Sequence, residues 1–337
     1  MGAFGSGPVL SLFGAKGEVL IISRTYLTVL LFFSPAFLMN YMLLAFVRND
    51  GAPQLSMAAM IGGSLSNVFL DWVFIFPCGM GIFGAALATG LAPLISMLIL
   101  SPHLIRRKNG FHFIKCRPEG MLFLNMIVTG IPSLITETSS GIVMIVFNSI
   151  LLSLMGNVGV AAYSVIANLS LVVIAIYTGL AQGIQPLISR SYGRKDAENI
   201  RAFFCYAMTA MAALSFAIYA IVYAGAPQIT AIFNSENNAL LKETAESGLR
   251  LYFTACPFAG FNIILSVYFT SVEHSWPAHI ISILRGFLII IPTAFLLAFA
   301  AGISGAWCAF PAAEFFVSGV ALILFLKSRQ QGTTEKR

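Results

Sequence analysis

The stretch from Asn67 to Thr89, NVFLDWVFIFPCGMGIFGAALAT, places one ionisable residue, Asp71, inside an apolar hairpin of bilayer-crossing length. By insertion scales a carboxylate at the centre of a membrane helix costs roughly 2.5–3.5 kcal/mol, so such a residue calls for a partner or a task. Asn67 stands four residues earlier, one turn back on the same helical face. Thr89 lies in the next helix, whose run Gly84, Ala85, Ala86 and Ala88 lets two backbones come close. An amide, a carboxylate and a hydroxyl at one depth form an oxygen-rich pocket suited to a proton or a small hard cation. The competing reading is a carboxylate near a helix end that reaches water past Trp72.

Outward from that hairpin, the composition excludes an ordinary soluble domain. Hydrophobic residues make up 58 % of the 337 positions and charged residues 9 %, with mean hydropathy +0.88. A polytopic helical membrane protein is expected. The net charge of +6 sits in short loops, not on an aromatic-interleaved face, so it reads as topology and no nucleic-acid partner is expected. The five cysteines (Cys78, Cys116, Cys205, Cys256, Cys308) are scattered singly, with no Cys/His metal spacing. Neither a disulfide framework, a zinc site nor any cofactor is expected. The N-terminal stretch has no basic region before its apolar part, so it does not read as a signal peptide.

Apolar runs predict nine spanning helices near 22–47, 55–77, 81–104, 121–153, 160–188, 200–224, 248–271, 277–301 and 304–327. Basic residues follow alternate helices: Arg48; then Arg106, Arg107, Lys108, Lys115 and Arg117; then Arg190, Arg194, Lys195 and Arg201; and finally Lys327, Arg329, Lys336 and Arg337. The intervening loops PCGM, GNVG and NSENNALLKETAE hold almost none. The positive-inside rule therefore puts the C-terminus in the cytoplasm. The expected division is a remnant N-terminal lobe over 1–108, a basic linker over 109–120, a six-helix lobe over 121–327 and a tail over 328–337.

An internal repeat shapes this division. GIFGAALA at 81–88 echoes GISGAWCA at 302–309, and Pro35 with Asn40 matches Pro257 with Asn262 at the same interval. Helices one to three thus correspond to helices seven to nine, whereas helices four to six have no counterpart. The simplest account is two six-helix halves, of which the first three helices are missing from this sequence.

Further polar residues lie within apolar runs. Glu137, with Ser133 and Ser140 on its face and Asn148 three turns on, suits a proton carrier, a counter-charge for a cation, or a glutamate capped by its neighbours. Glu314 faces a candidate partner in Arg285, an arrangement that would be structural. Asn168, Gln182 and Gln185, with Tyr163 and Tyr177, could line a cavity or bond between helices. His103, His112, His274 and His279 sit at loops and read as solvated. No paired catalytic groups at a fixed spacing occur, so an intramembrane enzyme is not expected.

RNDGAP, NVFLDWVFIF, GMGIFGAALAT, GIPSLITETSSGIVMIVFN, GVAAYSVIANLSLVVIAIYTGLAQGIQPLISRSYG and GAWCAFPAAEF together resemble the multidrug and toxic compound extrusion (MATE) family, nearest its MepA-like bacterial branch. The resemblance covers the whole chain, from the end of the family's third helix through its twelfth. It implies a two-lobe all-α fold with pseudo-symmetric halves, and export of organic cations across the bilayer by alternating access, coupled to H⁺ or Na⁺. In the family the N-lobe cation site takes an aspartate on the first helix, an Asn-x-x-x-Asp pair and a threonine. The pair matches Asn67 and Asp71 here and the threonine matches Thr89, while the first-helix aspartate has no position in this sequence, so the fragment is expected to be inactive without those helices. The resemblance also offers a functional glutamate on the family's seventh helix, for which Glu137 is the candidate. Two alternatives stand beside export: a lipid-linked oligosaccharide flippase of the same superfamily, and a non-functional truncated product. The coupling ion, the exported compound and the oligomeric state are not legible in the sequence.

Overall fold

A computed structural model describes residues 17–105, 110, 119–234 and 238–334. Most of the basic stretch from Arg106 to Arg117, with His112 and Cys116, lies outside the described residues, as do Glu236, Lys336 and Arg337. Among the described residues the chain is helical and contains no strand. It divides into two compact units, Met1–Arg117 and Pro118–Arg337.

Unit 1 consists of α1 (Gly17–Asn49), α2 (Pro53–Ile75) and α3 (Gly81–Ile105). Small residues set the spacing of these helices. Gly90 faces the Phe33 ring, and a Cβ on Gly63 would lie 3.1 Å from the Cβ of Ser96. Ser56 Oγ donates to the Leu44 carbonyl (3.0 Å), tying α2 to α1 above a small core of Leu43, Val47, Ala59 and Leu100. At the end of this unit Asp50 accepts from Gly110 N at 2.9 Å and lies 2.8 Å from His103 Nε2. His103, expected to be solvated, is therefore held by a carboxylate.

Unit 2 contains α4 (Gly120–Gly193), α5 (Ala197–Phe233), α6 (Ala239–Tyr252), a 3₁₀ turn (Phe253–Ala255), α7 (Cys256–Ser271), α8 (Ser275–Ile283), a π turn (Leu284–Leu288) and α9 (Ile290–Thr334). Phe147 and Tyr163 would stand about 24 Å apart on a straight helix, yet their rings stack at 5.4 Å. α4 therefore reverses on itself, and it does so at Gly156 (φ 63°, ψ −147°). α9 breaks in the same way at Gly302 (φ 58°, ψ −134°). Among the described residues seven apolar helices are long enough to cross a membrane. With these two reversals they supply the nine passes expected from the sequence.

Three of the corners share one construction, G-x-x-G: Gly81 to Gly84, Gly156 to Gly159 and Gly302 to Gly305. The first glycine has positive φ, which L side chains rarely adopt. The second packs against the helix just ended: Gly84 on Phe74, Gly159 on the Leu151 carbonyl, Gly305 on the Leu297 carbonyl. The GIFG/GISG repeat thus specifies a hairpin, and GNVG specifies a third.

Prolines account for the irregular turns. Lacking an N–H, a proline frees the carbonyl four residues before it. The 3₁₀ turn begins at Phe253, four before Pro257, and the π turn ends at Leu288, four before Pro292. Pro132 frees the Val128 carbonyl, and His279 Nε2 lies 3.0 Å from that oxygen, with Nδ1 on Ser275 O at 2.5 Å. His279 is thus bonded between α8 and α4, not solvated. The acidic stretch after Asn234 also departs from expectation, being helical from Ala239. Asn238 caps it by accepting from Leu240 N and Leu241 N, and Thr244, Ala245, Gly248 and Leu249 bury one face. At the other end α9 runs to Thr334, into the stretch expected as a tail.

The corners make a graded prediction. Gly305→Ala sets a methyl against backbone and should destabilise by about 1–3 kcal/mol, whereas Gly62→Ala meets only the mobile tip of Ile99 and should cost less. Thermal unfolding of both variants in detergent measures the difference.

Candidate functional site

In unit 1 the antiparallel register of α2 and α3 sets the depths of the polar groups. Gly63 lies against Ala92 and Ser96, and Gly84 against Phe74. Those contacts put Thr89 at a level between Asn67 and Asp71, the two residues one turn apart on α2. Thr89 Oγ1 donates to the Ala85 carbonyl at 2.9 Å, which uses its one proton and leaves the oxygen able only to accept further bonds. Pro93, four residues on, also frees the Thr89 carbonyl from its helical bond.

Asp71 Oδ1 and Asn67 Nδ2 are buried and find no hydrogen-bond partner among the described residues. Asn40 Oδ1 on α1 is in the same condition. Sequence reasoning used Asn40 only as an anchor of the repeat; its place five residues after Pro35, matching Asn262, was the available signal. Ser96 Oγ on α3 is a fourth such atom, and so many in a unit of three helices are unusual, because buried polar groups are nearly always bonded.

Unit 2 holds a cavity of about 390 Å³. Its wall is rich in hydroxyls, among them Ser133, Thr136, Ser140, Ser170 and Thr178, with Gln182 and Gln185 from α4. Tyr163, Tyr252 and Phe310 give it aromatic surface, Tyr252 stacking on Phe310 at 4.6 Å. Glu137 lines the cavity from an exposed position on α4.

Glu314 also lines it, 3 % exposed. Arg285 grips Glu314 through Nε at 2.8 and 3.0 Å and Nη2 at 2.8 Å. Asn262 Nδ2 donates to Glu314 Oε2 at 2.7 Å and to its carbonyl at 3.0 Å, and Ser318 Oγ bridges Asn262 Oδ1 and the same carbonyl. The ion pair was legible in the sequence; Asn262 and Ser318 as its supports were not, because their helices meet only in three dimensions.

Three of the polar residues expected to line a cavity or to bond between helices lie outside this lining. Asn168 is exposed and donates back to the Ser164 carbonyl of its own helix at 2.8 Å. Asn148 is outside the lining, with its Oδ1 buried and unpaired among the described residues. Tyr177 bonds Ser215 at 2.8 Å between α4 and α5. Among the described residues no group of three or more His, Cys, Asp or Glu could hold a metal ion.

The MatE family model matches residues 1–73 and 131–296. The multidrug export protein MepA of Staphylococcus saprophyticus is 24 % identical over 338 residues, covering 100 % of this chain and 74 % of that protein. MepA of Staphylococcus aureus (strain MSSA476) is 25 % identical over 329 residues, 95 % of this chain and 71 % of its own. A crystal structure of a MATE protein in complex with MaL6 superposes with TM-score 0.90 at 24 % identity, covering 99 % of this chain and 75 % of the other. An outward-facing multidrug resistance MATE transporter of the MOP superfamily gives TM-score 0.89 at 24 % identity, covering 99 % and 74 %. Together with the apolar passes of the described residues, these findings identify the chain as a multi-pass membrane protein of the MatE family, a family of transporters.

Proposed function

We propose that this chain serves the export of organic cations across the bilayer in exchange for H⁺ or Na⁺, with Asp71 as the coupling carboxylate, in a transporter that also has the three helices the internal repeat calls for. The observation that carries the reading is the buried, unpaired Asp71 Oδ1 one turn from an equally unpaired Asn67 amide. An arriving cation would satisfy Asp71, with Thr89 and the carbonyl oxygens of Asn67 and Asn40 as further oxygen donors. Neutralising that charge lowers the cost of packing α2 tightly, so the bound and unbound forms of the site favour different packings. A gradient does work only if the site changes exposure between states, because equal affinity on both sides shifts nothing. The names of the MepA relatives support drugs as the exported class.

In unit 2 the cavity offers aromatic and hydroxyl surface, and Glu137 is its carboxylate without an arginine partner among the described residues. That suits an amphiphilic monocation. An anionic lipid-linked ligand, as a flippase would carry, needs free positive charge. Arg285, the one basic residue in the lining, is taken by Glu314. The C-terminus is assigned to the cytoplasm by the positive-inside rule.

In the transporter restored to twelve helices, Asp71→Asn should abolish dye efflux from a drug-sensitive host while membrane expression stays normal; efflux at the wild-type level would refute the role. Varying pH and Na⁺ independently in the same assay separates the two coupling ions. Glu137→Gln should slow efflux of a monocationic dye by about tenfold, the loss of roughly 1.4 kcal/mol, and leave a neutral dye unchanged.

A further inference from the structure

The two units treat their buried carboxylates in opposite ways. Along the repeat, Ile61 stands where Arg285 does when Pro53 is matched to Pro277, and Pro93 stands where Glu314 does when GIFG is matched to GISG. At these positions unit 1 therefore has no such ion pair, and Asp71 Oδ1 has no partner among the described residues. Unit 2 has the pair, and its carboxylate is saturated.

We infer that Arg285 is a tethered counter-ion: its guanidinium permanently fills the cation position of unit 2, so Glu314 takes up neither a proton nor a free cation. Both Glu314 oxygens are occupied, Oε1 by Nε and Nη2 of Arg285, Oε2 by Asn262 Nδ2 and again Nε. A charged, bidentate arginine holds a carboxylate ionised and leaves little lone-pair space for a competitor. The arginine is itself fixed. It sits in the π turn Leu284–Leu288, where a Cβ on the adjacent Gly286 would lie 2.7 Å from Ser139 Oγ, so this backbone is pressed onto α4. Ser318 fixes Asn262 and the Glu314 carbonyl from the other side. The titratable groups lining the same cavity are Glu137 and Tyr163 from α4 and Tyr252 from α6, besides the pair. All are neutral or acidic, so none displaces Arg285 by competing as a cation.

The consequence rests on the reading of Asp71 given above: coupling ions enter unit 1 and not unit 2. Glu314 on its own could have served as a second coupling carboxylate, and Arg285 removes it from that role.

Infrared titration of the purified chain in lipid tests the inference, reading the carbonyl stretch of protonated carboxylic acids from acid to neutral pH. In the wild type Glu314→Gln should remove no titrating band. Arg285→Ala should add one band at neutral pH, lost again in the Arg285→Ala/Glu314→Gln double variant. A titrating wild-type band that vanishes with Glu314→Gln would overturn the assignment, as would Arg285→Ala in a folded protein adding none. Should Arg285→Ala fail to fold, the Glu314→Gln comparison decides alone. The coupling role of Asp71 is read separately, from the band lost with Asp71→Asn, so the two claims fail independently.

Discussion

A carboxylate surrounded by hydrocarbon must be matched, by a proton, a metal ion or a fixed cation, because water is not there to solvate it. That constraint links most of what distinguishes this chain. Unit 2 meets it from within, by an ion pair to an arginine on the same polypeptide, with two supporting side chains and a π turn that carries the guanidinium. Unit 1 leaves it open, with Asp71, Asn67 and Asn40 each presenting a buried atom to no partner among the described residues. A structure built to be stable in one state would have paired them. The exchange proposed above needs one site whose partner comes and goes.

The scaffold around these sites is made by small residues and prolines more than by the apolar bulk. Lipid-facing Leu, Phe and Ile satisfy the bilayer but do not specify which helix meets which. Gly63, Gly84 and Gly90 do so in unit 1, and Gly286 does so where the π turn meets α4. The G-x-x-G corners add the reversals, one glycine turning the chain and the next letting it return along its own helix. Prolines then release chosen carbonyls, of which Val128 is recovered by His279 and Thr89 lies at the depth of the polar pair.

Much of this was legible in the sequence. Apolar run lengths predicted nine passes, and they are found once α4 and α9 are seen to turn back at Gly156 and Gly302. The Asn67–Asp71 spacing and the Arg285–Glu314 pair follow from helical periodicity and from the cost of lone charges. What escaped was of two kinds. Asn262, Ser318 and the His103–Asp50 contact join residues more than 50 positions apart, where local pattern carries no information. Asn148 and Asn168 were grouped with a cavity because they are polar in an apolar run, yet Asn168 bonds its own helix. The helix from Ala239 was hidden by its charges, which line the exposed face of an amphipathic segment.

Labelling with an apolar carbodiimide, followed by peptide mass spectrometry, addresses the central claim directly, since the reagent attacks carboxylic acids that can be protonated in a membrane environment. The account predicts modification at Asp71, suppressed by the coupling cation or by raised pH, and none at Glu314. Modification of Glu314 in the folded protein, or an Asp71 that never reacts, would contradict it.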